Sequence, residues 1–390
     1  MLSSNLQKQY VACCFAIALA PVLAQAQDEQ LEANGMLAGL NVAYKNDSNV
    51  QRNGLGQSDN IFSLSPEIAY ANYFGKHALS VGYKGDYSRF SKQSNLNFEN
   101  HNLLAGVEFD HSLRFTSKVS ASFQKGVEDP SQVNSLINNF DEFTEYEKTA
   151  INGEVAYGRQ ESIGQVVIGV DVASADFDNN QQEFRNVDSV GAYSQFYYRV
   201  APNTRAVFEV SYYDYKYDEV ESFQNLSSEQ ISVLAGVEWR YSEQLSSSFR
   251  AGYQTKQFED ESLNDVNGLS FALDVDWQLS ELARISATGS RSANESTIAG
   301  LPERVSTSFS IDAQHELSQK LTAYSSIGHT LDDFGVRSDT NNNATLGLTY
   351  RLKSWVNVTL EYEYQKRDSD FENFSYNANV VMLSFEMAID

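Results

Sequence analysis

The sequence predicts an all-β protein, a transmembrane antiparallel up-and-down β-barrel of about eighteen strands with short periplasmic turns and longer extracellular loops. Three observations predict it. Segments that alternate apolar and polar residues recur roughly every twenty residues. The connections between them alternate between short and long. The chain also carries 22 tyrosines and 23 phenylalanines against 5 prolines, a composition that suits pleated strands.

The N-terminus comes first. Lys8 lies in a short polar start, Tyr10 to Ala24 is apolar, and Ala24-Gln25-Ala26 is a small-x-small site. Residues 1–26 therefore read as a cleaved secretory signal peptide, too short in its apolar part for a membrane-spanning helix. Residues 27–35 form a short periplasmic segment, and 36–390 form the barrel. Cys13 and Cys14 both fall in the signal peptide, and Tyr10 stands where a lipidation site wants leucine. The mature chain then has neither disulfides nor thiolate metal sites. Net charge is −24, and −25 once Lys8 is lost, so a basic nucleic-acid footprint is absent.

The predicted strands are 36–46, 60–72, 76–90, 97–111, 116–126, 143–158, 164–175, 185–200, 203–217, 228–242, 245–258, 265–278, 282–292, 303–316, 320–332, 340–352, 355–365 and 375–388. Brief connections include Phe74-Gly75, Ala201-Pro202, Glu243-Gln244, Leu317-Ser318-Gln319 and Lys353-Ser354. Longer polar ones are 47–59, 127–142, 218–227, 293–302 and 333–339. Short turns face the periplasm in such barrels, which places both termini there in the outer membrane.

One face of each strand suits lipid. Phe62, Leu64, Ile68 and Tyr70 share a side, as do Leu269, Phe271, Leu273, Val275 and Trp277. Tyr70, Tyr157, Tyr198, Trp239, Tyr241, Trp277 and Tyr350 end apolar runs beside short turns and suit the periplasmic interface. The opposite face carries twelve acidic and six basic residues. Its lumen-lining candidates are Lys84, Asp86, Glu238, Arg240, Asp274, Asp276, Glu361 and Glu363. Such a lumen favours cations or tolerates neutral sugars, and the same charges can also brace the barrel by cross-strand pairing. Tyr212, Tyr213, Tyr215, Tyr217, Phe223, Tyr87 and Phe90 cluster towards the outer ends, where they suit either a second interface girdle or stacking on sugar rings.

No catalytic constellation emerges, and the chain reads as a non-enzyme without metal or cofactor. His77, His101, His111, His315 and His329 lack metal-ligand spacing, and His329 with Asp332 and Asp333 is the nearest approach to a rim site. One loop changes period. Val133, Leu136, Ile137 and Phe140 follow a helical stripe after Pro130 and Ser131, so residues 130–140 are a candidate pore-narrowing helix.

The closing hairpin is the cleanest unit. Val356, Val358, Leu360, Tyr362 and Tyr364 alternate with Asn357, Thr359, Glu361, Glu363 and Gln365. A loop over residues 366–370 and a return strand from Asn379 to Phe385 follow, and that last strand must pair with the first around Met36 to Tyr44.

Three stretches carry a family resemblance. They are Tyr44-Lys45-Asn46-Asp47-Ser48-Asn49, Leu64-Ser65-Pro66, and Tyr362 to Ser369 followed by Phe374 to Val381. The chain thereby resembles the outer-membrane β-barrel porins found in exopolysaccharide and capsule clusters. Its first loop has one residue more than the family start, and it ends in Met387-Ala388-Ile389-Asp390 rather than on an aromatic residue. The resemblance implies a conduit or accessory channel in polysaccharide secretion, working with periplasmic export machinery. Outer-membrane lipid, polysaccharide, and the barrel-assembly machinery during insertion are the implied partners. The alternatives are a general diffusion porin for small hydrophilic solutes and a non-conducting structural or adhesive surface barrel.

Overall fold

The computed structural model describes residues 35–131, 142–218, 224–298 and 301–389. The expected signal peptide, Phe223 and the stripe Val133, Leu136, Ile137 and Phe140 lie outside them. Eighteen strands run through the described chain: β1 (Gly35–Asp47), β2 (Asp59–Phe74), β3 (His77–Phe90), β4 (Phe98–Asp110), β5 (Phe115–Val127), β6 (Glu145–Tyr157), β7 (Gly164–Phe177), β8 (Val187–Ala201) and β9 (Thr204–Tyr217) form one half. The other half is β10 (Ser228–Arg240), β11 (Leu245–Phe258), β12 (Val266–Ser280), β13 (Ala283–Ile298), β14 (Leu301–Ser318), β15 (Leu321–Asp333), β16 (Ser338–Lys353), β17 (Val356–Ser369) and β18 (Tyr376–Ile389). Each strand pairs antiparallel with its chain neighbours, and β18 returns to β1 from Ala38↔Ile389 to Asp47↔Val380. Closure leaves no open edge of unpaired N–H and C=O groups, which is the condition for a sheet to lie in hydrocarbon.

The period of two fixes two faces. On β8, side chains from Val187 to Tyr197 alternate between buried and exposed, and Tyr198 is 49% exposed. The exposed set is apolar: Val190 and Phe196 on β8, Phe208, Val210 and Tyr212 on β9, Leu360 and Tyr362 on β17. Apolar side chains left bare in this way form the belt that hydrocarbon covers. Tyr70, Tyr157, Tyr198, Trp239, Tyr241, Trp277 and Tyr350 all lie on this exposed face towards the short-turn end. That arrangement is an aromatic girdle.

Strands of 13 to 18 residues exceed the roughly 9–11 that cross a bilayer, so they project beyond it. The projecting part lies at the long-loop end. There the outer face turns polar, with the pairs Arg89–Glu99, Lys125–Glu147, Lys216–Asp214 and Lys366–Asp368. Projection also corrects the sequence reading at three loops. Residues 366–369 continue β17 rather than forming a loop, β13 and β14 run to Ile298 and from Leu301, and β15 to β16 leaves only residues 334–337. Outside the bilayer neither face needs to be apolar, so alternation fades while the ladder continues.

The two ends are built differently. At the short-turn end, Gly75 and Lys76 join β2 to β3, and Gly75 takes φ +70°, a conformation an L side chain resists. At the long-loop end, loops pack on the barrel and on each other. Val50, Ile61, Phe90, Leu96 and Phe143 form one buried cluster, and Ala175, Phe177, Val187, Tyr213, Tyr215, Tyr217 and Leu226 form a second. Arg185 reaches Glu128 through two bonds of 2.8 and 2.6 Å and lies 3.8 Å over the Phe177 ring. This joins the β5–β6 loop to the β7–β8 loop. Asp59 accepts backbone N–H groups of Lys92 at 3.0 Å and Gln93 at 2.8 Å, tying the start of β2 to the β3–β4 loop.

Candidate functional site

The inner face is where this chain can do chemistry with a solute. Ladder register decides which side chains reach it, because cross-strand partners share a face. Starting from the buried residues of β8 and β9 and following the partners around the barrel, all eight lumen-lining candidates fall on the inner face. Their surroundings differ. Glu238 pairs with Arg205, whose guanidinium lies 4.4 Å over the Tyr197 ring. Asp276 pairs with Arg284. Lys84 stands opposite Glu67 in the ladder, and Asp86 accepts Ser88 Oγ at 3.1 Å. Asp274 accepts Ser248 Oγ at 3.0 Å, and Glu363 accepts Gln365 Nε2 at 2.7 Å. Arg240 faces inward at the short-turn end of β10.

These environments divide the wall. From β4 to β11, three inner carboxylates are braced by basic side chains: Glu108 by Lys118 at 3.2 Å, Glu209 by Arg250 at 2.7 Å, and Glu238 by Arg205. From β12 through β18, Asp276, Asp332 and Asp339 pair with Arg284, Arg304 and Arg337, while Asp274, Asp312, Glu361, Glu363 and Glu386 form no ion pair among the described residues.

A recurring three-strand unit explains how this face is laid out. A tyrosine on one strand lies across a glycine on the next and donates its hydroxyl to a carboxylate on the third. Tyr193 of β8 crosses Gly169 of β7 and reaches Glu154 of β6 at 3.0 Å. Tyr213 of β9 crosses Gly191 of β8 and reaches Asp171 of β7 at 3.1 Å. Tyr324 of β15 crosses Gly347 of β16 and reaches Glu361 of β17. In each case a Cβ on the glycine would fall 2.0 to 2.2 Å from the tyrosine ring, so only glycine lets the ring lie flat on the sheet. Sequence reasoning selects Glu361 from its strand alone. It does not find Tyr324 or Gly347, because the unit exists only once three strands are in register.

Other inner residues went unselected in the sequence. Arg367 is 3% exposed, donates to Asn341 Oδ1 at 2.8 Å, and donates across the interior to the Ser131 carbonyl at 2.7 Å. Arg337 pairs with Asp339 and lies 3.9 Å over Phe374. The sequence reads 366–370 as a loop, so the alternation that places Glu361 and Glu363 is not carried on to Arg367.

The outer-end aromatics separate. Tyr212 faces outward, while Tyr213, Tyr215 and Tyr217 are buried on the inner face and Phe90 joins the first loop cluster. Of the histidines, His329 lies on the outer side and is within 2.8 Å of Asn342 Oδ1, while Asp332 on the inner side is held by Ser306 and Asn341. His329 and Asp332 therefore point to opposite faces, and Asp333 shares the outer one. Among the described residues no cluster of His, Cys, Asp or Glu is arranged to hold a metal ion.

Comparison with known proteins gives the following. The model of a family described as "Putative beta-barrel porin 2" matches residues 37–388. No curated protein matches the chain. Among solved structures, the outer membrane protein OpdK from Pseudomonas aeruginosa is 10% identical over 91% of this chain and 99% of its own, with a TM-score of 0.48. The FrpB iron transporter from Neisseria meningitidis is 13% identical over 88% of this chain, TM-score 0.48, and this chain spans 63% of its length. A bacterial polysaccharide outer membrane secretin is 11% identical over 90% of this chain and 98% of its own, with a TM-score of 0.38.

Proposed function

Because the chain belongs to the β-barrel porin family that its sequence matches from residue 37 to 388, and is an outer-membrane barrel of porin type, we propose that it is a conduit in the secretion of exopolysaccharide or capsule. The single observation that carries this reading furthest is the inner wall from β12 to β18, where Asp274, Asp312, Glu361, Glu363 and Glu386 form no ion pair among the described residues. A hydrated chain of hydroxyl groups can exchange hydrogen bonds with these carboxylates. The long-loop end faces outward and both termini lie in the periplasm, so polymer delivered by periplasmic export machinery leaves through the loops. Residues 1–26 serve as the export signal and are removed.

Lys84, Asp86, Glu238, Arg240, Asp274, Asp276, Glu361 and Glu363 line the water path in this reading. The loop carrying Val133, Leu136, Ile137 and Phe140 narrows it. The Arg367 bond to the Ser131 carbonyl supports that placement, since it draws the base of this loop towards β17. A second reading, a general diffusion porin for small solutes, is favoured by the same unpaired carboxylates, which suit small cations. The strain lacking the protein separates the two. Loss of cell-surface polysaccharide with undiminished synthesis is the expected result, and intact surface polysaccharide rejects the secretion reading.

A further inference from the structure

The three tyrosine–glycine–carboxylate units are alike in construction and unlike in access. Tyr193 and Tyr213 are 8% and 7% exposed, so other side chains cover their rings. Tyr324 is only half-buried. Its ring rests against Gly347, where a Cβ would stand 2.0 Å from Cζ, and its hydroxyl is committed to Glu361. The ring is thus pressed to the wall on one side and is less covered than those of Tyr193 and Tyr213.

We infer that Tyr324 with Glu361 and Glu363 forms a saccharide-binding subsite on the inner wall, taking a neutral sugar unit of a glycan. A flat, immobilised aromatic face offers a large contact area to the C–H face of a pyranose ring and loses little rotamer freedom on binding. The hydrogen bond to Glu361 sets the orientation in advance. Each carboxylate keeps further acceptor positions for sugar hydroxyls, because an ionised carboxylate has about four. Glu363 spends one on Gln365 Nε2. Neither carboxylate pairs with a basic side chain, which selects against anionic sugars and leaves neutral ones as the fitting class. Glycine at 347 is the enabling residue, since any Cβ there lifts the ring off the wall. The subsite sits within the proposed path, so the choice of ligand rests on the conduit reading.

The test uses the full barrel in detergent, titrated calorimetrically with maltohexaose as the neutral probe. Wild type binds it. Tyr324→Ala weakens binding about tenfold, the factor that one lost ring contact of about 1.4 kcal/mol gives. Tyr324→Phe keeps the ring and stays within about threefold of wild type. Gly347→Ala, which alters neither polar group, weakens binding as Tyr324→Ala does. A heat-shifted electrophoretic band confirms that each variant is folded. No binding by wild type, equal binding by wild type and Tyr324→Ala, or tighter binding of an anionic oligosaccharide overturns the subsite. Planar-bilayer recording on the same preparations keeps the two ideas apart: conductance without maltohexaose binding rejects the subsite and leaves the conduit standing.

Discussion

Asp59 shows how single residues hold the loop end of this barrel. It is 1% exposed, at the first position of β2, beyond the membrane belt. Burial alone would raise its pKa, yet the backbone donors of Gln93, Lys92 and Asn60 outweigh that and hold its carboxyl below the ordinary range. A carboxylate whose folded pKa is depressed adds stability above its unfolded value, near 4, and loses it as pH falls through the folded value. Asp59→Ala should therefore cost about 1–2 kcal/mol at pH 7, as loss of a capping carboxylate does. Denaturant unfolding in lipid vesicles checks this, and the gap from wild type should close towards pH 3. A gap independent of pH contradicts the assignment. The residue scale also marks the limit of reading the sequence. Glu361 and Glu363 are legible because Tyr362 and Tyr364 flank them in unbroken alternation. Gly347 is not, because its meaning depends on Tyr324 and Glu361, which only the register brings beside it.

At the scale of elements, strands were legible and their outer ends were not. Each predicted strand overlaps an observed one, from Gly35–Asp47 to Tyr376–Ile389. The lipid belt imposes apolar residues at every second position, and that constraint writes the pattern. Where β13, β14 and β17 rise above the belt the constraint lapses, so 293–302 and 366–370 read as loops. The β5–β6 loop carries the main prediction at this scale. Its base is clasped by Arg185 at Glu128 and drawn towards β17 by Arg367 at Ser131. Deleting residues 130–140 should raise single-channel conductance while leaving the clasp at Glu128 and the barrel intact. Unchanged conductance means that this loop does not narrow the path.

At the scale of the whole molecule, the barrel is asymmetric around its axis. Ion pairs brace the inner wall at Glu108, Glu209 and Glu238, while the wall from β12 to β18 mixes the paired Asp276, Asp332 and Asp339 with Asp274, Asp312, Glu361, Glu363 and Glu386, which form no ion pair among the described residues. The twelve acidic and six basic inner residues counted in the sequence predict a negative lumen. The sequence does not anticipate which of these charges pair, because pairing such as Arg205–Glu238 depends on which strands adjoin. The closed sheet, the apolar belt and the family match agree on an outer-membrane barrel. The central claim is that its interior is an open, hydrated path with a negative wall. Reversal potential in a planar bilayer under a potassium chloride gradient tests it most directly. Ion conductance with potassium preferred over chloride is expected, with the preference reduced about twofold in Glu361→Gln/Glu363→Gln as two wall charges are removed. A barrel that stays closed to ions, or one that prefers chloride, contradicts it.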